Sequence, residues 1–366
     1  MTGAPEHKHN PMGLSSSEVS VEVCFDVEQA RPQWAAMEDP GMPFQNRAWL
    51  EPWYRIVAPS HRARSLFVTV RDAATARPLM FFPLCLRRWR GLKIIEFADL
   101  GVSDYNAPLV AEGFDPTAQQ LDEIWREILR ALPSSDLVRF DKIPERILGR
   151  AVSIARLGWL QPMETSAWVL DLPGSAEDYE DRILTSKVRK ENRRKTRRLR
   201  DKVGDFYLEQ AQTTDAADEM LEALRRQRGA RFGAENILDR SCFPAFYRDV
   251  IHGGVNRFAE LWALKAGGRI LATQFAIRGP RAYFLIMHGF DATIEGGSTG
   301  MVAIDQMIRR RIALGDLHFD FTIGNEAYKQ QFGVRQIQLY KGLYPTSPLG
   351  RAAVFAHKIA RRGLAA

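Results

Sequence analysis

The stretch "GDLHFDFTIGNE" (315–326) repeats the outline of "SDLVRFDKIPE" (135–145): a small residue, Asp-Leu, an apolar strand carrying Phe-Asp, and a polar exit. The surroundings of the two copies match as well. Ahead of the first lie "SLFVTV" (65–70) and "PLMFFPLCLRRW" (78–89), β-rich runs on either side of a polar turn. They lead to the strand "LKIIEFADLG" (92–101) and, after Asp115-Pro116, the amphipathic helix "TAQQLDEIWREILRAL". Ahead of the second lies "FAELWALKAGGRILATQFAIRG" (258–279), a hairpin turning at Gly267-Gly268. The strand "AYFLIMHGFD" (282–291), the loop "EGGSTG" (295–300) and the helix "MVAIDQMIRRRIAL" (301–314) follow. Runs of β-branched and aromatic residues bounded by turn formers read as strands. Hairpin, strand, loop, helix, strand therefore occurs twice, which predicts an α/β fold of duplicated units with mixed sheets. The halves join near the turn-rich "QPMETSAWVLDLPGS" (161–175). The expected organisation is a disordered tail over 1–20, a first half over 21–165, a second half over 166–350 and a basic tail over 351–366.

A chain of 366 residues with 45% apolar and 26% charged side chains has the balance of a soluble globular protein with more than one core. Its net charge of +7 points to an anionic partner. That charge is local, since eleven basic residues face only Glu191 and Asp201 between Arg182 and Lys202, leaving the rest slightly acidic. At helical spacing, Leu184, Val188, Leu199 and Val203 form a narrow apolar line in this region, able to dock on a sheet while cations cover the other faces. Arg189 and Arg193 are the expected contacts to an anionic donor or acceptor, and a merely solvated basic face is the other reading. There is no helix-turn-helix, zinc spacing or aromatic RNA-recognition motif, so DNA is not an expected partner. Cys24, Cys85 and Cys242 are odd in number and far apart, which predicts reduced thiols, a cytoplasmic location and no metal. The longest apolar run, "LMFFPLCL" (79–86), is far short of the roughly 20 residues of a membrane-spanning helix.

Anion chemistry has one natural place. A Gly-rich loop running into a helix start offers amides without partners at the positive end of a dipole. In "EGGSTG" three glycines allow close approach, Ser298 and Thr299 add hydroxyls, and no acid follows in the first turn. The corresponding loop of the first half carries Asp115, Asp122 and Glu123, which would repel a phosphate. The second half is thus the expected binding half, and the first is expected to be non-catalytic.

The order of "SKVRKENRRKTRRLRDKVG", "LRRQRGARFG", "GGSTGMVAIDQMI" and "FDFTIGNEAYKQQFG" resembles the GNAT superfamily of acyltransferases, in its CelD-like and FemAB-like branch. The likeness is strongest over about 182–335, and "SDYNAPLV" (103–110) extends it into the first half. It implies two GNAT-like halves in tandem and an acyl-CoA co-substrate such as acetyl-CoA. The acyl group would pass by direct attack on the thioester to an amine or hydroxyl of a sugar, a polysaccharide precursor or an amino compound. On that resemblance the pyrophosphate would rest on Gly297, Ser298, Thr299, Gly300 and Met301, with Asn325 nearby. Tyr328 would protonate the departing thiolate or else pack structurally against Phe332. Glu326 is the expected base, with His288 a second candidate and also a candidate structural histidine. Asp320 is read as scaffold with a contact toward the site. Arg228 and Arg231 would hold an anionic acceptor, and Lys329 would meet a phosphate or solvent. Aminoacyl-tRNA or acyl carrier protein as donor, and a nucleic-acid-binding protein on a degenerate scaffold, stay open.

Overall fold

The computed structural model describes residues 19–363. The tail expected over 1–20 lies outside the described residues except for Val19 and Ser20, which begin the first strand. Most of the basic tail expected over 351–366 forms a helix, Pro348–Gly363.

Both copies of the strand pattern fold as read. In the first, Arg64–Asp72 and Pro78–Trp89 pair antiparallel, Leu92–Phe97 adds to them, and the helix Ala118–Ala131 crosses to the parallel strand Leu137–Pro144. That helix starts on a capping box, with Thr117 and Gln120 each satisfying the other's backbone amide, and buries Leu121, Ile124, Trp125 and Ile128 on one face. In the second, Ala259–Ala266 and Arg269–Gly279 pair through a two-residue turn. Gly267 and Gly268 both take positive φ there, 53° and 80°, as a tight hairpin requires. The strand Ala282–Phe290 follows, then the helix Thr299–Ala313, then the closing strand His318–Ile323.

The sheets do not divide at the junction of the halves. Leu339–Pro345, from the end of the chain, pairs with Leu137–Pro144 in the first sheet, while Ala167–Asp171, from the junction, pairs with His318–Ile323 in the second. The first closing strand thus takes its antiparallel neighbour from the second half, while the second closing strand takes one from the start of its own half. Both carry a bulge at the same place: Asp141-Lys142 lies between the pairs at Phe140 and Ile143, and Phe321-Thr322 between those at Asp320 and Ile323. Lys142 and Thr322 sit in these bulges with φ of 55° and 56°. This register makes Phe140, not Asp141, the counterpart of Asp320. The two Phe-Asp dipeptides are therefore one residue out of step, and only the second sheet has a carboxylate at that buried position.

One core runs through both halves. Phe44 packs edge-on against Trp49, Tyr105 and Phe284, and Trp49 meets Phe246 at 5.1 Å. Rigid aromatic contacts of this kind hold the two sheets in a fixed relation.

Candidate active site

The second sheet opens where its parallel pairing stops. Ala282–Phe284 pair with His318–Asp320, and beyond them the strands part. Across the gap the Thr322 hydroxyl donates to the Leu285 carbonyl at 3.1 Å, an arrangement that holds Thr322 in its left-handed conformation. The start of Thr299–Ala313 faces this opening. A cleft of about 420 Å³ lies over it, lined by Lys195, Arg231, His288, Ser298, Gly300 and Tyr328 among others. It adjoins a side pocket of about 190 Å³ bordered by Arg228, Arg231, Phe232 and His288.

The helix start is bare. Ser298, its N-cap, has φ 49° and ψ 37° and makes no capping hydrogen bond, no acid occupies the first turn, and the buried Thr299 hydroxyl has no partner. The equivalent helix of the first half has its amides occupied by Thr117 and Gln120. Gly300 is needed for close packing: a Cβ there would come within 2.8 Å of the Phe290 ring and 2.9 Å of His288 Nε2.

The walls are cationic. Arg225 and Arg226 are paired with Asp239 and Glu222. By contrast, neither Arg228 nor Arg231 has a carboxylate within ion-pair distance among the described residues. Both lie over the Phe232 ring, and the buried Arg228 Nε has no partner. Burial lowers the Arg228 pKa. For His288, burial first and then Arg231 and Arg228 push the pKa down to about 4, and its Nδ1 is unpartnered. The ring is therefore neutral at neutral pH and a weak base. Tyr328, on the short helix Ala327–Phe332, packs against the core that contains Phe332 and also faces the cleft. Burial, then Glu326, raises its pKa to about 12, so the phenol stays protonated.

Several expected contacts lie elsewhere. Arg189 and Arg193 do not line the cleft. Both fold back on acids of the preceding turn, Arg189 on Asp181 and Arg193 on Glu180, and the basic helix Ser186–Val203 offers Lys195 instead. On the buried line of that helix, Asn192 joins Leu199 and donates to Asp305 at 3.1 Å. Asn325 is tied to the junction segment, accepting from the Ser166 amide and donating to the Glu164 carbonyl, both at 3.0 Å. Lys329 is buried, donating to the carbonyls of Ile323 and Gly324 and pairing with Glu326 at 3.0 Å. The phosphate or solvent role expected of it gives way to holding the end of the closing strand. Glu326, so paired, folds over Gly324 outside the cleft lining, which counts against it as the base.

The first half reaches the closing strand of the second. Asp320 accepts from the Tyr105 hydroxyl and from the Thr322 amide, both at 2.7 Å, and burial raises its pKa to about 7. Asp104, beside Tyr105, is raised to about 6, again chiefly by burial, with Lys142 and Lys329 opposing. Sequence reasoning passed over Asp104, although it stands beside Tyr105 in "SDYNAPLV". An acid whose pKa is higher folded than unfolded contributes stability at low pH that is lost as pH rises through its folded value. For Asp320 that window runs from about 4 to 7, while His288, shifted the other way, gains stability from about 4 to 6.5. Asp320→Asn is therefore expected to raise thermal stability at pH 8 by about 2 kcal/mol relative to the parent and to give little gain at pH 4.5. Parallel unfolding curves at both pH values check this, and an equal effect at each would refute it.

A strand pair splayed at its centre, with a bare helix start facing the opening, defines a GNAT acyltransferase-type fold, here in two tandem halves. Residues 186–330 match the family model described as an acetyltransferase (GNAT) domain. FemX superposes over 90% of this chain and 99% of its own, with a TM-score of 0.61 and 10% identity. The C-terminal domain of an Agrobacterium fabrum protein named as a lysylphosphatidylglycerol synthetase does so over 90% and 93%, at 0.53 and 12%. At these identities the likeness is one of fold. No curated protein matches the chain.

Proposed function

We propose that the protein is an acyl-CoA-dependent acyltransferase whose second half binds the donor and whose acceptor, an amine or hydroxyl compound, carries an anionic group. The observation that carries this is the contrast between the two helix starts, one closed by a capping box and one bare in a cleft. A bare start supplies amides and a positive dipole end to a pyrophosphate on Gly297 to Met301. Arg228 and Arg231, without carboxylate partners, suit a carboxylate or phosphate on the acceptor. With His288 too weak a base, Asp104, whose charge is felt at Arg228 on the border of the side pocket and whose pKa is raised to about 6, is the carboxylate assigned to take the acceptor's proton near neutral pH. Tyr328 would return a proton to the leaving thiolate.

The test is Ser298→Asp. An acid at a helix start stabilises the helix but repels a phosphate. The unliganded protein should melt no lower than the parent, while acetyl-CoA binding by calorimetry weakens about tenfold or more. Unchanged affinity would remove the pyrophosphate from this helix start.

A further inference from the structure

The terminal helix Pro348–Gly363 bears an apolar stripe that no other part of the described chain covers. Leu349, Phe355 and Ile359 are 57%, 67% and 55% exposed, and the exposed Ala352 and Ala356 lie between them on the same face. Every charged residue from 348 to 363 is basic, with Arg351, Lys358, Arg361 and Arg362 and no acid. A surface helix ordinarily turns its polar side outward. This one presents large apolar side chains, with Arg351 also exposed.

A second exposed feature adjoins the start of that helix. The turn between Pro78–Trp89 and Leu92–Phe97 carries Arg88, Trp89 and Arg90, all exposed, with Trp89 at 40%. Asp136 ties this turn to the helix. It exchanges hydrogen bonds with the backbone of Lys93, both at 2.8 Å, and accepts from the Ser347 hydroxyl at 2.7 Å, while Gly350 packs on its carbonyl. An indole between arginines is the kind of side chain that settles at the boundary of water and lipid.

We propose that the terminal helix and the Trp89 turn form a docking surface for an anionic lipid bilayer, with the helix lying in the plane of the headgroups. Among the described residues no helix is long and apolar enough to cross a membrane, so the contact is peripheral. The apolar stripe enters the acyl boundary while the flanking cations meet anionic headgroups. A second copy of the chain is a poor occupant, because a two-fold contact would set this all-basic helix against its own charge. The surface is separate from the cleft and does not depend on the reading of its chemistry.

Full-length protein is sedimented with vesicles of phosphatidylcholine alone and with vesicles that also contain phosphatidylglycerol. Binding is expected only to the anionic vesicles and should fall steeply with added salt. Phe355→Glu with Ile359→Glu should weaken it about tenfold or more, and Trp89→Ala about threefold, with melting temperature unchanged because all three side chains are exposed. Equal binding of parent and Phe355/Ile359 variant, or no binding to anionic vesicles, would overturn the proposal. So would a parent dimer in light scattering that the double substitution turns into a monomer.

Discussion

Tyr328→Phe is expected to slow thioester cleavage about 100-fold or more, followed as thiol release from acetyl-CoA, with little change in acetyl-CoA affinity or melting temperature. The ring keeps its packing against the Phe332 core in this substitution, and a side chain that lines the cleft loses only its hydroxyl. A departing thiolate needs a proton, and a phenol raised to about 12 carries one throughout the neutral range. Its removal should therefore appear in kcat rather than in KM. If kcat persists and only stability falls, Tyr328 is a structural tyrosine and another donor serves the leaving group.

Glu260→Ala is expected to destabilise the fold by about 3–5 kcal/mol, measured by denaturant unfolding. Glu260 is buried in the second sheet and bridges Arg311 at 2.9 Å and Arg278 at 3.2 Å while accepting from the Trp262 indole at 2.8 Å. Arg311, near the end of Thr299–Ala313, is almost fully buried and also pairs with Asp316. Without Glu260 a buried guanidinium keeps one carboxylate where it had two, and the cost is that of an undercompensated charge. The end of the helix distant from the cleft is anchored by this network. A loss below 1 kcal/mol would mean that water reaches Arg311 and that the network contributes little.

The strands, the two crossover helices and the Gly-Gly turn were legible because each depends on residues close together in the chain. Alternation of apolar residues, a capping pair and a two-glycine turn act within one element. The bare start of Thr299–Ala313 was legible for the same reason, being written in "EGGSTG" and the absence of a nearby acid. Arg228, Arg231, His288 and Tyr328, which line the cleft and its side pocket, also follow from their places on elements that could be read. Less of the chemistry was legible. Glu326 and Lys329, three residues apart, pair with each other, a contact that a reading of each residue by itself does not show. Arg189 and Arg193 looked free because charge was counted over the basic run alone, whereas Asp181 and Glu180 lie just before it and fold back.

The sequence by itself determined a duplicated α/β unit, the second half as the one with a loop fit for an anion, and the cationic residues near it. Only the tertiary structure decided which charges remain available. Pairing across long separations brings Tyr105 to Asp320, and burial raises Asp104, effects that no local pattern encodes. The placement of Leu339–Pro345 in the first sheet likewise depends on where hydrogen-bonding edges meet in space. The physical reason is that propensity acts over a few residues, whereas burial and charge compensation are properties of the whole packed chain.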